Sequence, residues 1–220
     1  GIDRLALVVG GSMGGQQVYE WAVTRPAMVE RAAPVACTAR ISHHQRVFVE
    51  TLKEAITSDP AWRGGWYAAG TDLRDGMDRM ARIVATAGWS AEFYTQERWR
   101  TVLGMSSLED FIGGVMKAYF EPMDPHALLA QMHKWQRADV SRHTGGDLAA
   151  ALARITAKTM VLPISHDQFF PPAEAEADAA LIPGAEVRVI HSIEGHMGLN
   201  GFEPGYMAQV HSHLSDLLAR

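Results

Sequence analysis

The chain holds one cysteine, Cys37, in 220 residues. No intramolecular disulfide can form, which excludes a disulfide-stapled fold and makes a reducing compartment, the cytoplasm, the expectation. Long hydrophobic runs are lacking as well. No apolar stretch approaches the roughly eighteen residues that a spanning helix needs, and no basic segment followed by an apolar one marks a signal peptide, so no membrane partner is expected. Positive charge is not in excess: Lys+Arg 20 against Asp+Glu 25 gives a formal net charge of -5. Without a basic surface to neutralise phosphates, nucleic-acid binding is excluded, and small molecules are the expected partners. The histidine pairs His43/His44 and His211/His213 have no cysteine or carboxylate at ligand spacing, so no metal site is expected. Internal repeats, linkers and low-complexity tracts are also absent.

What is present is the make-up of an ordinary globular protein, 47% hydrophobic and 20% charged, long enough for one core with an inserted subdomain. Leu5 to Val9 is a short continuous apolar run that ends in two glycines, which suits a strand buried on both faces of a parallel sheet. A helix over Gly15 to Thr24 and a strand over Ala32 to Cys37 complete a β-turn-α-β unit. The strand pattern returns at Thr159 to Ile164 and at Glu186 to Ile190, separated by a helix over Ala173 to Leu181, and an amphipathic helix over Tyr206 to Leu218 closes the chain. Between Thr38 and Ile155 the pattern is helical, at Asp78 to Val84, Glu92 to Leu103, Leu108 to Tyr119 and Pro125 to Gln136. These signals predict an α/β fold with a mostly parallel sheet: a core from residues 1–38 and 156–220 and a helical lid insertion over 39–155.

The chemistry centres on Gly10-Gly11-Ser12-Met13-Gly14, a G-x-S-x-G motif set between a buried strand and a helix, the context of an α/β-hydrolase nucleophile. A hydroxyl is a weak nucleophile near neutral pH, so an imidazole must take its proton and a carboxylate must hold that imidazole in the right tautomer. In this fold the acid follows a late strand and the histidine follows the last one. Asp167, just past Ile164, and His196, past Ile190, stand at those places. Glu194 is too close in sequence to His196 for an easy bridge, and Asp147 sits in a loop of the insertion. The helix after Ser12 aims its N-terminal amides at a developing oxyanion, with the Met13 backbone amide as one donor.

Residues Gly10 to Ala22 closely resemble the homoserine O-acetyltransferase family of α/β-hydrolases. The likeness continues through Ala36 to Ser42, Asp59 to Gly65 and Asp167 to Pro172. What it implies is acyl transfer through an acyl-Ser12 intermediate, with acyl-CoA as co-substrate at most, no other cofactor, and a homodimer joined through the lid. Two substrate-binding positions depart from the family. The residue after the histidine is usually an Asp that pairs with the amino group of homoserine, and here it is Met197. An ammonium ligand would lose a charge-assisted hydrogen bond worth about 1.5–3 kcal/mol, so an acceptor other than homoserine is expected. The family's lid carries an Arg and, seven residues on, a Tyr for the substrate carboxylate. Arg82 and Trp89 have that spacing, without the phenol.

The resemblance also places several strands and a second oxyanion donor ahead of the nucleophile strand. Here that strand begins almost at once, so a fragment, a processed chain or a truncated gene product is expected. Transfer to a hydroxyl acceptor is the main expectation. The alternatives are an ester hydrolase with water as acceptor and a non-catalytic protein that keeps the fold. Trp66, Trp89, Trp99, Met105, Met116 and Met132 offer material for an apolar acyl pocket, though helix packing is the preferred reading.

Overall fold

In a computed structural model of the chain, residues 1–67 and 73–219 are described; residues 68–72 of the expected insertion and residue 220 lie outside them. In chain order the elements are β1 (Val8–Gly11), α1 (Met13–Thr24), β2 (Arg31–Val35), α2 (His43–Thr57), α3 (Arg74–Gly88), α4 (Ala91–Thr95), α5 (Arg98–Thr101), α6 (Leu108–Phe111), α7 (Ala118–Phe120), α8 (Pro125–Gln136), α9 (Leu148–Leu152), β3 (Lys158–Val161), α10 (Pro172–Ala179), β4 (Glu186–Val187) and α11 (Pro204–Leu218). They form two compact units, Gly1–Ile41 with Ala138–Arg220, and Ser42–Arg137.

The first unit is built on a parallel sheet in the order β1-β2-β3-β4. Val8 faces Ala32, Arg31 faces Lys158, and Met160 faces Glu186. Parallel neighbours need long crossovers, which α1 supplies between β1 and β2 and α10 between β3 and β4. Single bridges Val35 to Leu162 and Ile164 to Ile190 carry the pairing toward the loops where the site lies. Ala33, Met160, Leu162, Ile164 and Ile190 are fully buried, and Tyr206 and Leu217 of α11 cover them from one face. A fully buried aliphatic side chain of this kind contributes about 1.5–3 kcal/mol. The first strand differs from the sequence expectation. Leu5 makes only an isolated bridge to Val29, and the ladder instead runs through Gly10 and Gly11, which pair with Pro34 and Val35.

The units divide at 42 and 138, where composition placed the boundaries at 39 and 155. The segment after Arg137 joins the sheet unit for a local reason. Ile41 N–H donates to the Ala138 carbonyl at 2.9 Å and Val140 N–H to that of Ala39 at 3.1 Å, and Val140, Ala151 and Leu152 are buried.

In the second unit α2 is a helix that the sequence reading did not place. Ser42 caps it, its Oγ accepting from Gln45 N–H at 3.2 Å, and Gln45, Val49, Leu52 and Ile56 form its buried stripe. One expected long helix is broken: Glu97, at φ 47, separates α4 from α5. The helix expected over Leu108 to Tyr119 runs unbroken from Leu108 to Phe120, with a π-helical stretch over Ile112–Lys117 that contains Gly113 and Gly114. Trp89 stacks on Phe93 at 4.0 Å between ring centres and donates its indole N–H to Met116 Sδ at 3.4 Å. Trp89, Trp99, Met116 and Met132 are buried, whereas Trp66 is 87% exposed. Among the described residues no helix is long and apolar enough to cross a membrane.

Candidate active site

The site grows out of the turn between β1 and α1. Ser12 sits there at φ 54, ψ -127, a conformation that costs a non-glycine residue on the order of 1–3 kcal/mol. Its neighbours hold it: Ser12 N–H donates to the Val35 carbonyl of β2 at 3.0 Å, and the Ser12 carbonyl accepts from Gln16 N–H at 3.1 Å. The turn is possible because the chain packs on itself without side chains. A Cβ on Gly10 would stand 2.6 Å from the Gly14 carbonyl group, one on Gly11 would meet Leu199 at 2.7 Å, and one on Gly15 would meet Cys37 Sγ at 2.2 Å. Met13 is the first residue of α1, so its N–H has no acceptor within the helix and lies directly after Ser12.

Asp167 follows β3 in a tight turn, its N–H donating to the Ile164 carbonyl at 3.1 Å. Its carboxylate is almost fully buried and fully engaged. Oδ1 accepts from Phe169 N–H at 2.8 Å and Phe170 N–H at 2.9 Å, and Oδ2 lies 2.7 Å from His196 Nδ1. His196 belongs to a 3-10 segment, Gly195–Asn200, beyond Ile190, and its Nε2 lies 2.9 Å from Ser12 Oγ. A carboxylate can only accept, so the neutral ring carries its proton on Nδ1 and offers Nε2 as acceptor to the Ser12 hydroxyl. Phe169 stacks on the imidazole, 4.6 Å between centroids, and Phe170 lies 5.4 Å away.

The loops that carry the acid and the histidine are tied to each other. Ser192 is the link: its N–H donates to Ser165 Oγ at 3.2 Å, and its own hydroxyl accepts from Glu194 N–H at 3.1 Å and donates to Glu203 Oε2 at 3.0 Å. Ser165, Ser192, Phe169 and Phe170 were not singled out from the sequence. Only the two phenylalanines left a signal there, as part of the Asp167–Pro172 stretch that carries the family resemblance, two and three residues after Asp167.

The structure thus brings Ser12, His196, Asp167 and the Met13 amide together in the first unit. Met197 shares the 3-10 segment with His196, is half-buried, and accepts at its carbonyl from Asn200 Nδ2 at 3.0 Å. Arg82 is exposed on α3, which belongs to the second unit. The other acids do not reach Nδ1: Asp147 caps α9 through Ala150 N–H at 2.9 Å, and Glu194 is buried in the histidine loop. Among the described residues no group of three or more His, Cys, Asp or Glu residues could hold a metal ion. The arrangement can move a proton from a serine hydroxyl to an imidazole and stabilise the charge that results.

No protein-family model matches the chain. An ethyl acetate hydrolase of Pseudomonas veronii is 52% identical over 219 residues, which cover 100% of this chain and 62% of that protein. The solved structure of an acetylester hydrolase from Corynebacterium glutamicum is 48% identical and superposes with a TM-score of 0.97, covering 100% of this chain and 63% of the other. A homoserine O-acetyltransferase of Thermobifida fusca is 36% identical over 212 residues, 90% of this chain and 55% of that protein. The chain spans about three-fifths of the length of the hydrolases it matches.

These likenesses correct the expectation of acyl transfer to a hydroxyl acceptor. The relatives that share about half of their residues with this chain are named as ester hydrolases, and the acetyltransferase stands further off. By sequence and by architecture, the chain is an α/β-hydrolase-fold relative of the homoserine O-acetyltransferase-like enzymes that shares more of its sequence with ester hydrolases than with the acetyltransferases.

Proposed function

We propose that the protein hydrolyses small carboxylic esters, acetyl esters first among them, with water as the acceptor of the acyl group. The observation that carries this reading is the continuous relay from Ser12 Oγ through His196 to Asp167, at 2.9 and 2.7 Å, beginning on a strained turn at a helix N-terminus. The names of the hydrolase relatives supply the substrate class.

Ser12 Oγ attacks the ester carbonyl carbon while Nε2 of His196 takes the hydroxyl proton. The carbonyl oxygen becomes an oxyanion, to which the Met13 N–H and the positive end of α1 respond. Asp167 stabilises the imidazolium. As the tetrahedral intermediate collapses, the bond to the alcohol oxygen breaks and the imidazolium returns the proton to that oxygen, leaving acyl-Ser12. Water then attacks the acyl carbon, giving its proton to Nε2, and the carboxylic acid departs as the proton returns to Ser12. Met197 leaves the acyl-enzyme without a carboxylate to seat an amino-alcohol in place of that water.

The test is turnover of ethyl acetate and p-nitrophenyl acetate by the intact chain, with and without hydroxyl acceptors such as homoserine. Acetate is the expected product throughout, and Ser12→Ala should lose on the order of 10⁴-fold or more in kcat. Turnover that survives Ser12→Ala would overturn the reading.

A further inference from the structure

Phe169 and Phe170 clasp the acid and the base at once, through different atoms. Their amides hold Asp167 Oδ1 at 2.8 and 2.9 Å, and their rings lie against the His196 imidazole. Phe169 is nearly parallel to it, with 28° between planes and 4.6 Å between centroids; Phe170 is tilted at 34° and 5.4 Å. Both phenylalanines are buried.

The face of an aromatic ring carries negative quadrupole charge and attracts a cation within about 6 Å of its centroid. A neutral imidazole gains little from such a contact. An imidazolium gains more, and His196 becomes one only after it takes the Ser12 proton. Burial by the same rings acts in the opposite direction, because it removes water from the charged form. An aliphatic side chain of similar bulk keeps the second effect and lacks the first, so the two can be separated.

The other groups around the imidazole stay constant in that comparison. Asp167 bonds Nδ1 and Ser12 bonds Nε2. Glu194 is buried in the same loop, and His166 precedes Asp167 with its Nδ1 3.1 Å from the Ser192 carbonyl. Burial, then the Asp167 charge, pushes the Tyr206 phenol of α11 up to about 12. The Cys37 thiol beyond β2 is raised by burial, then by Asp178 and Asp167. Both are therefore neutral at ordinary pH.

We propose that Phe169 is a positioning residue whose ring face favours the charged form of His196 and keeps the imidazole in line between Asp167 and Ser12. Its consequence for turnover rests on the ester-hydrolysis reading above; its consequence for the histidine does not. The experiment is therefore a proton titration of His196 followed by NMR on the intact chain with nitrogen-labelled histidine, for wild type, Phe169→Leu and Phe169→Trp. The Leu variant should titrate lower than wild type by roughly half to one pH unit, and the Trp variant at or above wild type. In turnover, Phe169→Leu should lower kcat roughly 3- to 10-fold with little change in KM.

Pentafluorophenylalanine at 169 keeps the shape and reverses the ring quadrupole. It should also lower the titration midpoint, and it answers the question if the Leu variant does not fold. Equal midpoints for wild type, Phe169→Leu and the pentafluorophenylalanine protein, or a higher one for Leu, would overturn the proposal. If no protein turns over ester but the midpoints fall in the stated order, the hydrolysis reading fails and the role of Phe169 stands.

Discussion

Gly10, Gly14 and Gly15 flank the same serine under different constraints. Gly10 and Gly15 have no room for a methyl group: at Gly10 it would strike backbone, and at Gly15 it would strike the Cys37 sulfur and the Gly10 carbonyl, whereas nothing lies within 4 Å of a methyl at Gly14. Gly10→Ala and Gly15→Ala should therefore displace Ser12 and abolish its labelling by an organophosphonate. Gly14→Ala should be labelled as wild type and be more stable by about 0.5–1 kcal/mol, as for glycine to alanine inside a helix. The motif as read from sequence names Gly14, but the second tight position is Gly15. A spacing pattern records which glycines recur and carries no information about which of them touch. Asp178 is a second residue that sequence reading passed over. Burial, with Glu174 nearby, raises its carboxyl from the ordinary 3.8 to about 6, against the pull of a 2.7 Å bond from Ala39 N–H and of Arg40. The folded chain holds that proton more tightly than the unfolded chain. The ionisation therefore costs stability, which is greatest below about pH 4, falls as pH rises to about 6, and is flat above. Asp178→Asn keeps an acceptor for Ala39 and removes the charge. Urea unfolding should show it more stable than wild type at pH 8, by about 3 kcal/mol at most, with the difference vanishing near pH 4.

At the scale of elements, β2 and β3 were the most legible part of the sequence because burial on both faces leaves continuous apolar runs, as at Thr159 to Ile164; β1 is only partly buried and β4 is two residues long, with Val9 and Val187 exposed. Asp167 and His196 could be placed because each lies a few residues beyond such a run. The helical unit was less legible. α2 was missed although Gln45, Val49, Leu52 and Ile56 fall at helical spacing, since a glutamine among them and two histidines at its start mask the apolar stripe. The break at Glu97 and the π-helical stretch at Ile112–Lys117 depend on backbone geometry that no spacing reports. Asp59 shows how one side chain joins elements across such gaps. Its Oδ1 accepts from Ala61 N–H at 2.8 Å and its Oδ2 from Gly76 N–H at 2.7 Å, where α3 packs too closely on α2 for any residue larger than glycine. Asp59→Ala should cost about 1–3 kcal/mol, because it leaves a buried Gly76 N–H without an acceptor. Denaturant unfolding would show the loss, and faster amide exchange at Gly76 would locate it.

For the whole molecule, the fold and the order of Ser12, Asp167 and His196 along it could be read from the chain, whereas the acceptor could not. Resemblance pointed to acyl transfer because the residues around Ser12 and Asp167 are those that build the turn and the relay, and these serve either reaction. Under the proposed hydrolysis, discrimination between water and an alcohol would rest with side chains such as Met197, which offers no carboxylate to an ammonium group. The measurement that tests the account most directly is intact-mass analysis and peptide mapping of the chain during turnover of p-nitrophenyl acetate in oxygen-18 water. The account predicts a transient acetyl group on Ser12 and released acetate that carries the solvent oxygen, with both lost in Ser12→Ala. An acetyl group mapped to another residue, or product acetate free of label with the acetyl group recovered on an added alcohol, would contradict it.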